Sequence, residues 1–308
     1  MGSSDTASFT DLMDRHYAAG DGTRKPPSYA DVYTRLLENR RGEALAVLEL
    51  GVSSGASLLC WRDYLPNAVI VGVDIAEPPA RIAGEPGIAF VRGSQDDPLT
   101  LDAAARAAGR PFDVIIDDAS HIGYLTKRSL HYLFPRWLAP GGWYVIEDFG
   151  TGFLPEYPDG ISFVPPDWTD AQPGMKEFRG SQFGMVGVIK QLIDHLMQEL
   201  ATGAPSYLAI ERLIVESNIA LVRKSPRPGG AWPGYISDAP VQRPIPEPAL
   251  AIIRERERVE AAPAVQAAPA AIPYAVQAAL DNHAARLAEL ERVIARLRRF
   301  AGPLRWLR

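Results

Sequence analysis

The segment Ala46-Val47-Leu48-Glu49-Leu50-Gly51-Val52-Ser53-Ser54-Gly55-Ala56-Ser57 joins a short apolar run to a helix-forming stretch through two glycines. Ala46 to Leu50 reads as a strand, and Ala56 to Tyr64 as a helix. Gly51 and Gly55 allow a sharp turn and a close backbone approach, and the helix that follows offers free N–H groups. The spacing Gly-x-x-x-Gly is not the G-x-G-x-x-G pattern that holds a dinucleotide pyrophosphate. An acid just before the turn, Glu49, is unhelpful beside a pyrophosphate and suits a cationic ligand.

Outward from that turn the chain alternates strand and helix. Val69 to Val73 is a second strand ending in Asp74, and Ile88 to Val91 a third. Leu101 to Ala108 reads as a helix, Val114 to Ile116 as a fourth strand ending in Asp117-Asp118, and Leu130 to Leu138 as a helix. Pro140-Gly141-Gly142 turns the chain into a fifth strand, Trp143 to Ile146. Gly187 to Leu200 reads as a helix, with Leu208 to Leu213 and Asn218 to Arg223 as two closing strands. Near-continuous apolar strands separated by helices imply a parallel sheet covered on both faces. The expected fold is α/β: a Rossmann-like, doubly wound, mostly parallel seven-stranded sheet followed by a C-terminal helical tail.

Composition narrows the function. The 308 residues are 47% hydrophobic and 22% charged, with 32 basic and 37 acidic side chains and a net charge of −5. That is ordinary globular composition, and the acidic balance argues against general nucleic-acid binding. One cysteine, Cys60, excludes an internal disulfide framework and a multi-cysteine zinc site, and reads as a small buried packer. The apolar runs are too short to span a bilayer. Met1 to Phe9 is polar and does not read as a signal peptide, so a cytoplasmic location is expected.

Ligands of open parallel sheets bind at the carboxyl ends of the strands. Beyond Glu49, Gly51, Gly55 and Ser57, Asp74 ends the second strand, where a carboxylate can accept from both hydroxyls of a ribose. Gly93-Ser94-Gln95-Asp96 follows the third, where an adenine would lie. Glu49 suits the ammonium of a methionine moiety. Turn, acid and polar loop in this order resemble the class I S-adenosylmethionine-dependent methyltransferases. That resemblance makes S-adenosylmethionine the expected cofactor, bound by Glu49, Gly51, Gly55, Ser57, Asp74, Ser94, Gln95 and Asp117.

The fourth strand runs into Asp117-Asp118-Ala119-Ser120-His121 and the fifth into Glu147-Asp148, so four carboxylates and one imidazole are expected on one rim. Carboxylates packed this closely raise one another's pKa, a conflict that a divalent cation resolves. Oxygen-rich surroundings without cysteine favour Mg²⁺ over zinc. A hydroxyl beside such an ion becomes more acidic, and His121 is suited to take its proton near neutral pH. Val114 to His121 together with Val145-Ile146-Glu147-Asp148 resembles the metal-dependent sugar O-methyltransferases of macrolide biosynthesis, the mycinamicin and tylosin type. The resemblance implies that Asp118, Glu147 and Asp148 bind Mg²⁺, that His121 is the general base, and that Asp117 lies nearer the cofactor. It implies O-methylation of a sugar hydroxyl on a glycosylated natural product or surface glycan. The family usually has Gly where this chain has Ala119.

The resemblance covers roughly Tyr17 to Lys224, and residues 41–224 form the expected cofactor-binding domain. Within residues 1–40, Tyr17, Gly22-Thr23, Lys25, Ser28-Tyr29 and Tyr33 resemble the family's lid over the cofactor, with Arg24 and Ser28 replacing an Asp and a His. The bland alternative is a surface helix with a tyrosine stripe. Gly150 to Arg179, rich in Pro, Gly and aromatics, reads either as an acceptor lid or as a surface loop packing its own aromatics. Ten of the 27 prolines lie between Pro226 and Pro273, so residues 225–275 read as a semi-rigid linker. From Val276, apolar residues recur at alternating spacings of four and three, a heptad seam with seven arginines against three acids. Residues 276–308 therefore read as a helix that docks on its own domain, pairs with a second copy, or rests on a partner or anionic surface. His195 reads as structural, His131 carries no functional signal, and His16 is a candidate for the cofactor cleft. Two other functions stay open. One is O-methylation of a phenolic or polyketide hydroxyl, or a part in a hydroxylase complex. The other is a non-catalytic protein that recruits a glycosyltransferase or membrane assembly through its tail.

Overall fold

The structure is a computed structural model that describes residues 7–17, 25–154, 157–161 and 184–231. Two helices come first, α1 (Phe9–Tyr17) and α2 (Pro27–Leu37). Then follow β1 (Ala46–Leu50), α3 (Ala56–Tyr64), β2 (Val69–Asp74), β3 (Ile88–Arg92), α4 (Pro98–Ala108), β4 (Phe112–Asp117), α5 (Gly123–Arg136) and β5 (Leu138–Glu147). The short α6 (Pro158–Ile161), α7 (Gly184–Thr202), β6 (Ile210–Glu216) and β7 (Ile219–Lys224) complete the described chain. The sheet has seven strands in the order β3-β2-β1-β4-β5-β7-β6. Strands β1 to β5 pair in parallel, whereas β7 pairs antiparallel with both β5 and β6. The sheet order changes direction at β1, which brings the ends of β1 and β4 together beside a crevice.

Side chains alternate across each strand, and both faces are covered. Val47, Val114, Ile116, Val145 and Leu221 pack with α1, α2 and α3 on one face. Leu48, Leu50, Ile115, Tyr144, Ile146 and Val222 pack with α4, α5 and α7 on the other. This double covering is why the strands read as continuous apolar runs. Glu49 is the exception on β1: it is fully buried on the α1–α3 face.

Several boundaries differ from the sequence reading. Helix α4 starts three residues earlier than expected, because Asp97 caps it by accepting from the amides of Leu99 and Thr100, with Pro98 in the first turn. Helix α5 begins at Gly123 rather than Leu130 and ends before Leu138, with Ile122 at its N-terminus giving no side-chain cap. Pro140-Gly141-Gly142 does not precede the fifth strand. It lies inside β5, where the register against β4 shifts between Phe112 and Val114, as at a bulge. The N-terminal helices are not a surface feature: Tyr29 and Tyr33 are fully buried, and Phe9, Tyr33 and Trp61 form one aromatic cluster with centroids 4.6 to 5.6 Å apart. Cys60 is buried in α3, as expected. Among the described residues no helix is long and apolar enough to cross a membrane. Gly22 to Arg24, most of the Gly150 to Arg179 loop, and the linker and tail beyond residue 231 lie outside the described residues.

Candidate active site

The turn after β1 is built around Asp74. Its Oδ2 accepts from the amides of Val52 (2.7 Å) and Ser53 (3.0 Å), and its Oδ1 from Ala76 (2.9 Å). Gly51 has a φ of 86°, and a Cβ there would lie 2.2 Å from the carbonyl oxygen of Asp118 and 2.6 Å from Cα of Ala119. Glycine is thus required twice, for the left-handed backbone and for the approach of a second loop. Gly55, at φ 80°, opens α3, and Ser57 is buried in the first turn of that helix. The glycine turn and the Asp118 loop form one unit.

The next layer sits under the end of β4. Asp117 accepts from Gln95 Nε2 (3.1 Å), Ser129 Oγ (3.1 Å) and Tyr144 OH (3.2 Å), and it is buried. Gln95 Oε1 in turn accepts from the amide of Ser120 (3.1 Å). Burial pushes the Asp117 carboxyl above the ordinary carboxylate range. Asp117 and Gln95 therefore brace the loop after β4 from inside. Ser94, expected at the adenine, turns its hydroxyl to Asp96 (2.6 Å).

Asp118, His121 and Asp148 form the outer rim. Each offers one ligand atom, and these atoms lie within 4.8 Å of one another. Nε2 of His121 is 4.0 Å from Asp118 Oδ1 and 3.9 Å from Asp148 Oδ2. His121 and Asp148 both have positive φ, at 54° and 53°, a conformation that non-glycine residues rarely adopt and that surrounding structure must hold. For Asp148 the holders are visible. Asn218, in the turn between β6 and β7, donates Nδ2 to Asp148 Oδ1 (2.7 Å) and accepts the Gly150 amide (2.7 Å). The Tyr29 hydroxyl reaches Asp148 Oδ1 (2.6 Å).

Glu147 is not in that cluster. Its Oε2 accepts from Lys25 Nζ (2.7 Å) and its Oε1 from the Tyr33 hydroxyl. The same ammonium lies 2.6 Å from Asp118 Oδ2 and 3.1 Å from Glu49 Oε1. Burial alone would lower the pKa of Lys25, but Asp118, Glu147 and Glu49 outweigh it and hold the group well above the ordinary lysine range. Glu49, read as a partner for a cofactor ammonium, faces the chain's own ammonium here. Three carboxylates around one lysine leave a negative site, and Asp148 adds to the surplus at the outer rim.

Lys25, Tyr29 and Tyr33 were visible in the sequence only as members of the N-terminal segment, and Asn218 only as a turn residue. A lysine two residues before a tyrosine-bearing helix carries no local sign that it meets three strand ends. The other histidines lie apart from the rim. His16, on α1, has its Nε2 2.8 Å from Asp63 Oδ2, so its ring is turned to the C-terminal end of α3. His131 and His195 face each other with centroids 5.7 Å apart on the α5–α7 side.

No family model matches the chain. Among curated proteins it is 34% identical over 217 residues to demethylmacrocin O-methyltransferase of Streptomyces fradiae, covering 66% of this chain and 50% of that protein. The same identity and coverage relate it to mycinamicin VI 2''-O-methyltransferase of Micromonospora griseorubida. Its homologues are the macrolide sugar O-methyltransferases. The chain spans about half the length of the curated relatives it matches. A solved structure of the MycE methyltransferase in complex with Mg, SAH and mycinamycin VI superposes with a TM-score of 0.57 at 29% identity, covering 75% of this chain and 57% of that one. The class I methyltransferase fold expected from the turn, the acid and the polar loop is therefore present.

Proposed function

We propose that this methyltransferase homologue transfers the methyl group of S-adenosylmethionine to a sugar hydroxyl of a glycosylated natural product, with Mg²⁺ at the outer rim and His121 as general base. The observation that carries the reading is the gathering of Asp118, His121 and Asp148 against the glycine turn through the Gly51 contact. The donors are two carboxylates without sulfur, which suits a hard dication, and the imidazole beside them is left to act as base. Asp118 and Asp148 would hold it, and Glu147 stands directly behind them with its charge shared by Lys25. The ion, when bound, supplies a positive charge that makes a nearby hydroxyl more acidic.

The chain's own residues do the rest. The turn from Gly51 to Ser57, shaped by Asp74, holds the cofactor, with Glu49 behind it, while Ser94, Gln95 and Asp117 close the adenine side. Alignment of hydroxyl oxygen with the sulfonium methyl supplies much of the rate. His121, hydrogen-bonded to nothing at Nδ1 among the described residues and aiming Nε2 at the two carboxylates, receives the hydroxyl proton as the oxygen attacks. Residues 1–40 serve as the lid. The setting is cytoplasmic.

The test is His121→Ala. Turnover should fall by about 10²–10⁴, the range of a lost general base, while cofactor affinity stays within a few-fold. Undiminished turnover removes His121 from the reaction. A screen of glycosides against phenolic and polyketide acceptors, with Mg²⁺ and a chelator control, separates sugar methylation from the alternatives.

A further inference from the structure

Two helices of this domain start at the same carboxylate. Asp159, in α6, is 2% exposed. Its Oδ2 accepts from the amide of Gly123, the first residue of α5, and from that of Met185 at the start of α7, both at 2.9 Å. Helix N-termini present unpaired N–H groups and positive partial charge, so a buried carboxylate between two of them is well matched. The junction is shaped for it. Gly184 has a φ of 60°, and a Cβ there would lie 2.3 Å from Asp159 Oδ2. A Cβ on Gly123 would lie 2.1 Å from the carbonyl carbon of Gly184.

The junction bears on the rim because α5 follows His121 after one residue. His121 holds a left-handed φ of 54°, and Ile122 gives α5 no side-chain cap. On the other side, Tyr157 belongs to the segment that Asp159 anchors, and its ring meets that of His121 edge-on at 6.2 Å. Thr151 adds a hydroxyl bond to the His121 carbonyl (3.4 Å). We infer that Asp159 is a positioning residue: by pinning the start of α5 to the start of α7, and Tyr157 to the His121 ring, it sets the imidazole toward Asp118 and Asp148. The inference rests on the proposed role of His121, and it names a residue 38 positions away that the rim motif does not contain.

One oxygen accepts both bonds, so an amide oxygen in the same place can keep them, whereas a methyl cannot. The experiment compares the wild-type chain with Asp159→Ala, Asp159→Asn and Gly184→Ala, by histidine ring NMR and by steady-state methyl transfer. His121→Ala assigns the His121 signal, and His16, bonded to Asp63, serves as the internal control. In Asp159→Ala the His121 resonances should move while those of His16 stay. The kcat should fall 10- to 100-fold with KM for S-adenosylmethionine within twofold. Asp159→Asn should recover to within a few-fold. Should Asp159→Ala not fold, Gly184→Ala displaces the carboxylate from the other side and should move the same resonances. Unmoved His121 signals in a folded Asp159→Ala or Gly184→Ala protein overturn the inference, and lowered stability alone does not rescue it. Added Mn²⁺ tests the parent reading separately. If it leaves the wild-type His121 signal unbroadened, the metal assignment fails while the ring shifts still decide the role of Asp159.

Discussion

The ammonium of Lys25 lies 2.7 Å from Oε2 of Glu147, a residue 122 positions along the chain, and both are buried. This pair fastens the N-terminal segment to the sheet at the point where β1, β4 and β5 end, since Glu49 and Asp118 share the same ammonium. A buried cation with three acidic partners can be lost only at high cost, because each carboxylate is then left facing the others.

Lys25→Met should therefore destabilise the fold by about 3–5 kcal/mol, the usual cost of removing one partner of a buried pair. Urea unfolding at pH 7 measures it, and a midpoint equal to wild type would mean that the ammonium is a bystander.

Asp118→Ala and Asp148→Ala should each abolish saturable Mn²⁺ binding, read by electron paramagnetic resonance. Asp63→Ala, on α3 beside His16 and apart from the rim, should leave it intact. Equal Mn²⁺ binding in all three proteins would place the ion elsewhere.

Gly51→Ala should damage both halves of the site together. Its Cβ would sit 2.2 Å from the Asp118 carbonyl oxygen, so the turn and the loop after β4 must separate. Cofactor affinity, measured by calorimetry, should fall at least tenfold along with Mn²⁺ affinity. Loss of one without the other would show that the two loops act independently.

Stability should depend on pH through His131. Burial, helped by neighbouring His195, pulls its pKa down to about 3. The unfolded chain takes up a proton near pH 6.5 that the folded chain refuses, so stability is complete above 6.5 and declines as the pH falls toward 3. At pH 5 the loss is on the order of 2 kcal/mol. His131→Gln should flatten that slope in urea titrations at pH 7 and pH 5, and an unchanged slope would assign the acid sensitivity to other groups.

Much of the fold was legible because its signals are local. An apolar run ending in Gly51 needs no partner to read as a strand and turn, and β1 and α3 have the expected limits. The start of α5 was illegible because its cap comes from Asp159, beyond the reach of any local pattern. The turn expected at Pro140 to Gly142 became a bulge because the neighbouring strand β4 holds both sides of it in the sheet. At the site, the motif residues Asp118, His121 and Asp148 come together as their order suggested. The position of Glu147 was decided by Lys25 and Tyr33, whose approach depends on how α2 packs against α3.

The sequence by itself determined which strands exist, the turn at their centre, and the acids and the imidazole that ride on their ends. Hydrophobic period and glycine placement act within a few residues. Only the tertiary structure decided which acid faces a lysine and which faces outward. That choice is set by long-range packing, which brings groups 36 to 122 residues apart within hydrogen-bonding distance.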